Sequence, residues 1–97
     1  MTQSEIQHFL DCMTYEDCTV LLHGRLFWCL GLTWSSEQKE CSLLVYEEDP
    51  NTNEFIQELF RYNSTSRDDC MKHFVEDKFW DGKSFYEVAV DMEWVDL

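Results

Sequence analysis

The sequence predicts an α+β domain: a small antiparallel β-meander of three to four strands, with one N-terminal helix and two C-terminal helices. Three observations carry this expectation. Apolar residues recur at helical spacing near the two ends of the chain. Between them lie short β-branched, aromatic and apolar runs. Those runs are separated by compact turn-forming stretches, His23-Gly24-Arg25 and Asp49-Pro50-Asn51-Thr52-Asn53, which favour hairpins.

The first helix opens on Thr2 and Glu5, whose spacing is that of a capping box. Ile6, Phe9, Leu10 and Met13 form its apolar face, with His8 and Asp11 on the wet side, and it should end near Tyr15. Cys18 to Leu22 is a short strand, closed by the turn at Gly24. Leu26 to Trp34 is apolar throughout; it reads as a central strand covered on both faces, or as one with Gly31 at a bulge. Ser35 to Glu40 is a polar loop, and Cys41 to Glu47 is the third strand.

The next segment reads two ways. Phe55, Ile56, Leu59 and Phe60 fit a helix, whereas Ile56, Phe60 and Tyr62 fit one face of a strand; the compact turn before them favours Ile56 to Tyr62 as a fourth strand. Ser66 and Asp69 then supply a cap for a helix from about Arg67 to Asp77, carrying Cys70, Met71, Phe74 and Val75. Asp81-Gly82 is a turn. Ser84 and Glu87 repeat the capping box and start a third helix, with Phe85, Val88, Ala89, Met92 and Val95 as its apolar face. With no repeat, linker or low-complexity tract, residues 1–97 read as a single domain.

Hydrophobic residues make up 44% of the chain and aromatics 15%, enough for a core. Twenty Asp and Glu against seven Lys and Arg give a formal net charge of −13. Such a surface argues against direct binding to nucleic acid or anionic lipid, because phosphate contacts need Lys and Arg. Its natural partners are basic; the alternative is that the charge only keeps the protein in solution. An odd count of five cysteines without a Cys-x-x-Cys pair does not read as a secreted disulfide framework. The N-terminus has no basic start followed by an apolar stretch, and no apolar run is long enough to span a membrane. Free thiols in a reducing cytoplasm are therefore expected.

His8, His23 and His73 do not have the spacing of a helical metal pair, the cysteines lack finger spacing, and the acidic runs do not match a calcium loop. No metal or cofactor is expected. A Cys–His pair would have to be assembled by the fold; Cys29 and Cys41 read as core residues and His23 as a turn residue. Among so many acids, paired carboxylates carry no information. Gly82-Lys83-Ser84 lacks the earlier Gly of a phosphate loop and the parallel strand that leads into one. No catalytic residue is nominated, and the chain reads as a binding protein rather than an enzyme.

The acidic pattern says more. Glu47-Glu48-Asp49 runs from the third strand into its turn. Glu87 and Asp91 lie one helical turn apart, with no Lys or Arg from Glu87 to Leu97 to offset them. Glu93 and Asp96 add acid near the expected end of the third helix, where the macrodipole disfavours it. A local cost without local benefit suggests a footprint for a basic partner, the alternative being a solvated chain end. Aromatic residues lie beside these acids. Phe85 reads as core, while Trp80, in a turn with Lys78 and Asp81, and Trp94, near the end, are candidate exposed anchors. The candidate partner-binding set is Glu47, Glu48, Asp49, Trp80, Glu87, Asp91, Glu93 and Trp94.

The ending Asp81-Gly82-Lys83-Ser84-Phe85-Tyr86-Glu87-Val88, closed by Glu93-Trp94-Val95-Asp96, resembles small uncharacterised proteins of Gram-positive bacteria and their mobile elements. In size, acidity and absence of a catalytic motif, the whole chain resembles phage-borne inhibitors of nucleic-acid-targeting defence systems. Anti-CRISPR proteins that occupy the basic channel of an effector nuclease are among them. It is also similar to immunity proteins of nuclease toxins. The resemblance implies an inhibitor whose acids stand in for phosphates on a basic, nucleic-acid-binding partner. The alternative of another class is an interaction module that binds through its aromatic patch.

Overall fold

A computed structural model describes residues 1–95 of the chain; Asp96, one of the terminal acids, lies outside the described residues. The elements are α1 (Gln3–Cys12), β1 (Cys18–Leu22), β2 (Arg25–Ser35), β3 (Glu40–Glu48), β4 (Phe55–Ser64), α2 (Arg67–Glu76), α3 (Phe85–Ala89) and β5 (Met92–Val95). The fold is α+β, with a five-stranded antiparallel sheet in the order β4-β3-β2-β1-β5.

Local chemistry accounts for most of the boundaries. Thr2 and Glu5 form a reciprocal capping box at the start of α1. The β1–β2 hairpin turns on His23 (φ 51°) and Gly24 (φ 79°), and two consecutive positive φ values match the right-handed twist of the strands. Ser66 caps α2 by accepting from the Asp69 amide. The ambiguous fourth segment is a strand, as its compact preceding turn implies.

The third helix is the main correction. It stops at Ala89, and Met92 and Val95, expected on its apolar face, belong to β5 instead. In the predicted meander β1 would be an edge strand with unpaired amides and carbonyls. Residues 92–95 satisfy that edge, with Leu22 opposite Met92 and Thr19 opposite Val95. Strand pairing outweighs a helical periodicity that was real but local. Glu93 is therefore a strand residue, and the helix-dipole argument does not apply to it.

All three helices lie on one face of the sheet. Ile6, Phe9 and Met13 of α1 and its end, Phe74 of α2, and Phe85 and Val88 of α3 share one core with the sheet residues Val20, Phe27, Cys29, Leu43, Val45 and Phe60. The expectation that β2 is covered on both faces is thus corrected: helices cover only one. Among the described residues, no helix is long and apolar enough to cross a membrane.

Gly31 sits at a bulge in β2, where the pairing with β3 shifts between Leu30 and Thr33. A Cβ at this position would lie 2.2 Å from the Glu16 carbonyl oxygen and 2.9 Å from that of Met13. The Gly31 amide donates to Asp17 Oδ1 (3.0 Å), and the Leu32 amide donates to the Met13 carbonyl (3.0 Å). The α1–β1 connection is stitched onto the bulge by these bonds.

All five cysteines are free and buried. Burial pushes the Cys18 thiol up to about 12 and raises that of Cys29, its cross-strand partner. Alkylation without reductant should modify all five in denaturant and few in the folded protein, read by intact mass. Protection of two thiols in denaturant would mean a disulfide.

Candidate functional site: the uncovered face of the sheet

Strand alternation sends every second residue away from the helices. The register places those residues in rows. One runs Val95–Thr19–Trp28–Tyr46–Glu58, from β5 to β4. The next runs Glu93–Leu21–Leu26–Glu48–Phe55, and a shorter one runs Leu30–Leu44–Arg61. The centre of this face is aromatic and aliphatic, and none of its large side chains belongs to the core cluster. Leu26 is buried by its neighbours; Leu21, Trp28, Leu30, Leu44 and Tyr46 are half-buried. Phe55 is 65% exposed and lies 5.9 Å from the Tyr46 ring.

Acids ring this centre. Glu48 accepts from Trp28 Nε1 (2.8 Å), which satisfies the indole N–H and tethers the ring to β3. Burial, and then Glu48 beside it, raises the Tyr46 phenol, so it stays a neutral donor. Glu93 and Glu58 stand on the two edge strands, and Asp17 lies beside Trp28 and Val95. The one Arg in these rows, Arg61, is held by Glu58 (2.8 Å). The face therefore has an apolar middle and an acidic rim.

The nominated residues separate on this frame. Glu48 and Glu93, from distant parts of the sequence, fall in one row, with Leu21 and Leu26 between them. Glu47 points the other way: it is 6% exposed, accepts from Arg25 Nε and Nη2 (3.0 and 2.9 Å), and accepts from Gln57 (2.9 Å). Asp49 accepts from the Asn51 and Thr52 amides and so builds its own turn. Glu87 closes the capping box on Ser84, as their spacing implies, so its charge has a local benefit as well as an exposed position. Asp91 is exposed.

Trp80 is not an exposed anchor. It is 2% exposed and packs edge-on to Phe27 (5.2 Å), because its turn folds back over the covered face. Trp94 is half-buried on that same face, against Phe9 (5.4 Å) and His8 (5.3 Å). The residues that sequence reasoning missed are the outward ones of β1–β3. Their signal in the sequence is that β2 is apolar at both parities, a pattern that two-sided burial would also give.

Arg25 joins Glu47 to Asp81 (3.0 Å) and sits 5.1 Å from the Phe27 ring centroid. Hydrogen bonds from Arg25 lead the causes that hold the Glu47 carboxyl below the usual carboxylate range, against the opposing effect of burial. Such a group contributes stability above its unfolded pKa and loses it as pH falls through the depressed folded value. Arg25→Gln should cost about 2 kcal/mol at neutral pH, less than a fully buried pair because the guanidinium is partly wet. In urea titrations the deficit should begin to shrink as pH falls below about 4.3, the unfolded carboxyl value, and should vanish only once pH has passed through the lower folded value of Glu47.

The fold does assemble one Cys–His pair. Cys12 Sγ lies 3.8 Å from His8 Nε2. Burial, then Glu16, raises the Cys12 thiol, the opposite of what an activated nucleophile needs. Among the described residues, no group of three or more His, Cys, Asp or Glu is placed to hold a metal ion. Compared with family models, curated proteins and solved structures, the chain finds no match.

Proposed function

We propose that this protein is a binding module that covers a basic, nucleic-acid-binding surface of a partner protein with the uncovered face of its sheet. The observation that carries this reading is the row Glu93–Leu21–Leu26–Glu48–Phe55, acid and apolar on one surface that no helix covers. Half-buried and exposed apolar groups supply the binding energy, and the surrounding acids steer association with a cationic surface. The net charge of −13 favours the same class of partner. Inhibition of a nuclease effector, as by an anti-CRISPR protein or a toxin's immunity protein, is the form this binding would take.

The acids enter this reading as a rim around an apolar centre rather than as a string of phosphate substitutes. Glu47, Asp49 and Glu87 have structural bonds of their own, which favours the aromatic patch over pure mimicry.

Capture of partners by the parent, a Glu48→Lys/Glu93→Lys double variant and a Phe55→Ala variant tests the reading. Glu76→Lys, on α2 and so on the covered side of the sheet, serves as a control away from the face. Basic nucleic-acid-binding proteins should bind the parent and the control, should be displaced by added oligonucleotide, and should be lost by the double variant. Phe55→Ala should speed dissociation several-fold, corresponding to about 1 kcal/mol. If both open-face variants keep the parent's partners and affinities, the face is not the site.

A further inference from the structure

We infer that the cleft between the end of α1, the β2–β3 hairpin and the start of α2 binds a planar aromatic ring bearing a single negative charge. The ring lies against Tyr15 and Trp34, and the charge lies on Arg67. This cleft is on the side of the sheet away from the proposed partner face. It has a volume of about 420 Å³, with Leu32 and the buried Cys41 among its lining. That is within the usual range for small-molecule sites.

Two of the most exposed aromatic side chains of the chain stand at this one cleft: Tyr15 is 71% exposed and Trp34 56%. The bulge at Gly31 puts Trp34 there. It shifts the register so that Trp34 pairs with Cys41 on the helix side of the sheet, at the end of the strand where no helix covers it. Exposed aromatic rings facing a cavity offer stacking surface to a flat ligand.

Charge selects the ligand. Arg67 is the one charged residue lining the cleft, in a chain where acids outnumber bases by almost three to one. Neighbouring clefts are acidic: one is lined by Glu5 and Glu16, another by Asp11 and Asp68 with Lys72. Arg67 Nη2 donates to the Thr14 carbonyl (2.6 Å), which anchors the guanidinium at the cleft. Among the described residues Nε and Nη1 make no bond, and Nη2 keeps a second hydrogen; that hydrogen with its neighbour on Nε or Nη1 forms a fork for a carboxylate. The net charge of −13 opposes every added negative charge, so a monoanion is favoured over a phosphate dianion.

The test uses 2-naphthoate, 2-naphthamide and 2-naphthyl phosphate, read by the indole N–H resonance of Trp34 in ¹⁵N–¹H spectra. The resonance is identified by its loss in Trp34→Phe. 2-Naphthoate should shift it saturably and bind roughly tenfold more tightly than the neutral amide. Arg67→Gln should reduce naphthoate to the level of the amide, and Arg67→Lys should restore part of the difference. The Glu48→Lys/Glu93→Lys variant should bind naphthoate like the parent, which separates this site from the partner face. No saturable shift with naphthoate, equal binding of acid and amide, or tighter binding of the phosphate would overturn the proposal. The comparison of acid with amide on the parent protein stands even if an Arg67 variant fails to fold.

Discussion

Trp80→Ala should remove roughly 3–5 kcal/mol of folding stability, the usual cost of emptying a large buried aromatic site. A domain of this size has only about 5–15 kcal/mol in total, so the variant should be largely destabilised in urea titrations followed by circular dichroism. Trp80 touches Phe27 and Phe79 (ring centroids 5.2 and 4.9 Å), and its backbone exchanges hydrogen bonds with Lys83 across a turn. That turn is held by positive φ at Asp81 (53°) and Gly82 (84°), and Asp81 is tied in turn to Arg25. Emptying the Trp80 site removes what the turn packs against.

Trp80→Phe should behave differently. The indole Nε1 is buried and, among the described residues, has no hydrogen-bond partner. Removing an unsatisfied buried donor recovers about 1–3 kcal/mol, which offsets much of the lost ring volume. The Phe variant should therefore lie within about 1 kcal/mol of the parent. A surface anchor would show the reverse pattern, with both variants stable and both impaired in binding.

Gly31→Ala should cost about 3 kcal/mol and lower the melting temperature by roughly 15 °C. The added methyl group meets backbone, not a side chain that can swing aside. The Glu16 carbonyl it strikes belongs to a segment fixed by Glu16 N to Cys12 O (2.9 Å), Leu32 N to Met13 O and Gly31 N to Asp17 Oδ1. Relief would break at least one of these bonds. Gly24→Ala provides the contrast. Nothing lies within 4 Å of its Cβ, so only the strain of φ +79° remains, about 1–2 kcal/mol. If Gly31→Ala melts within a few degrees of the parent in a calorimetric scan, the close approach is wrong.

The pattern of these effects tracks what the sequence could convey. Caps, turns and strand existence rest on short-range chemistry, so Thr2 with Glu5, His23-Gly24 and Ser66 with Asp69 were legible directly. Residues 92–95 were not. Their fate depends on an unpaired edge of β1 far away in the sequence, and helical periodicity across Val88, Ala89, Met92 and Val95 carried no sign of it. The same limit governs the candidate site. Period-two alternation tells which residues share a face, but not which face the helices take. Glu47, Glu48 and Asp49 are consecutive and acidic, yet the pleat sends the first toward Arg25, the second toward Trp28, and the third into a turn. Glu87 does two things at once: it closes the capping box that its spacing from Ser84 implies, and its side chain stays on the surface.

The pairing of β5 with β1 also sets an order of assembly. β1 to β4 form by successive hairpins between sequence neighbours, and such local contacts carry little loop-closure entropy. β5 reaches its partner only after the intervening chain, including both C-terminal helices, has been drawn together. It is therefore the last strand to dock and the first to leave. Its departure would bare the edge of β1, Cys18–Leu22, an apolar β-branched stretch without a single charge. These four residues thus act as the guard of a sticky edge, and a chain without them would lose Met92 and Trp94 from its packing and gain a template for pairing with its own kind.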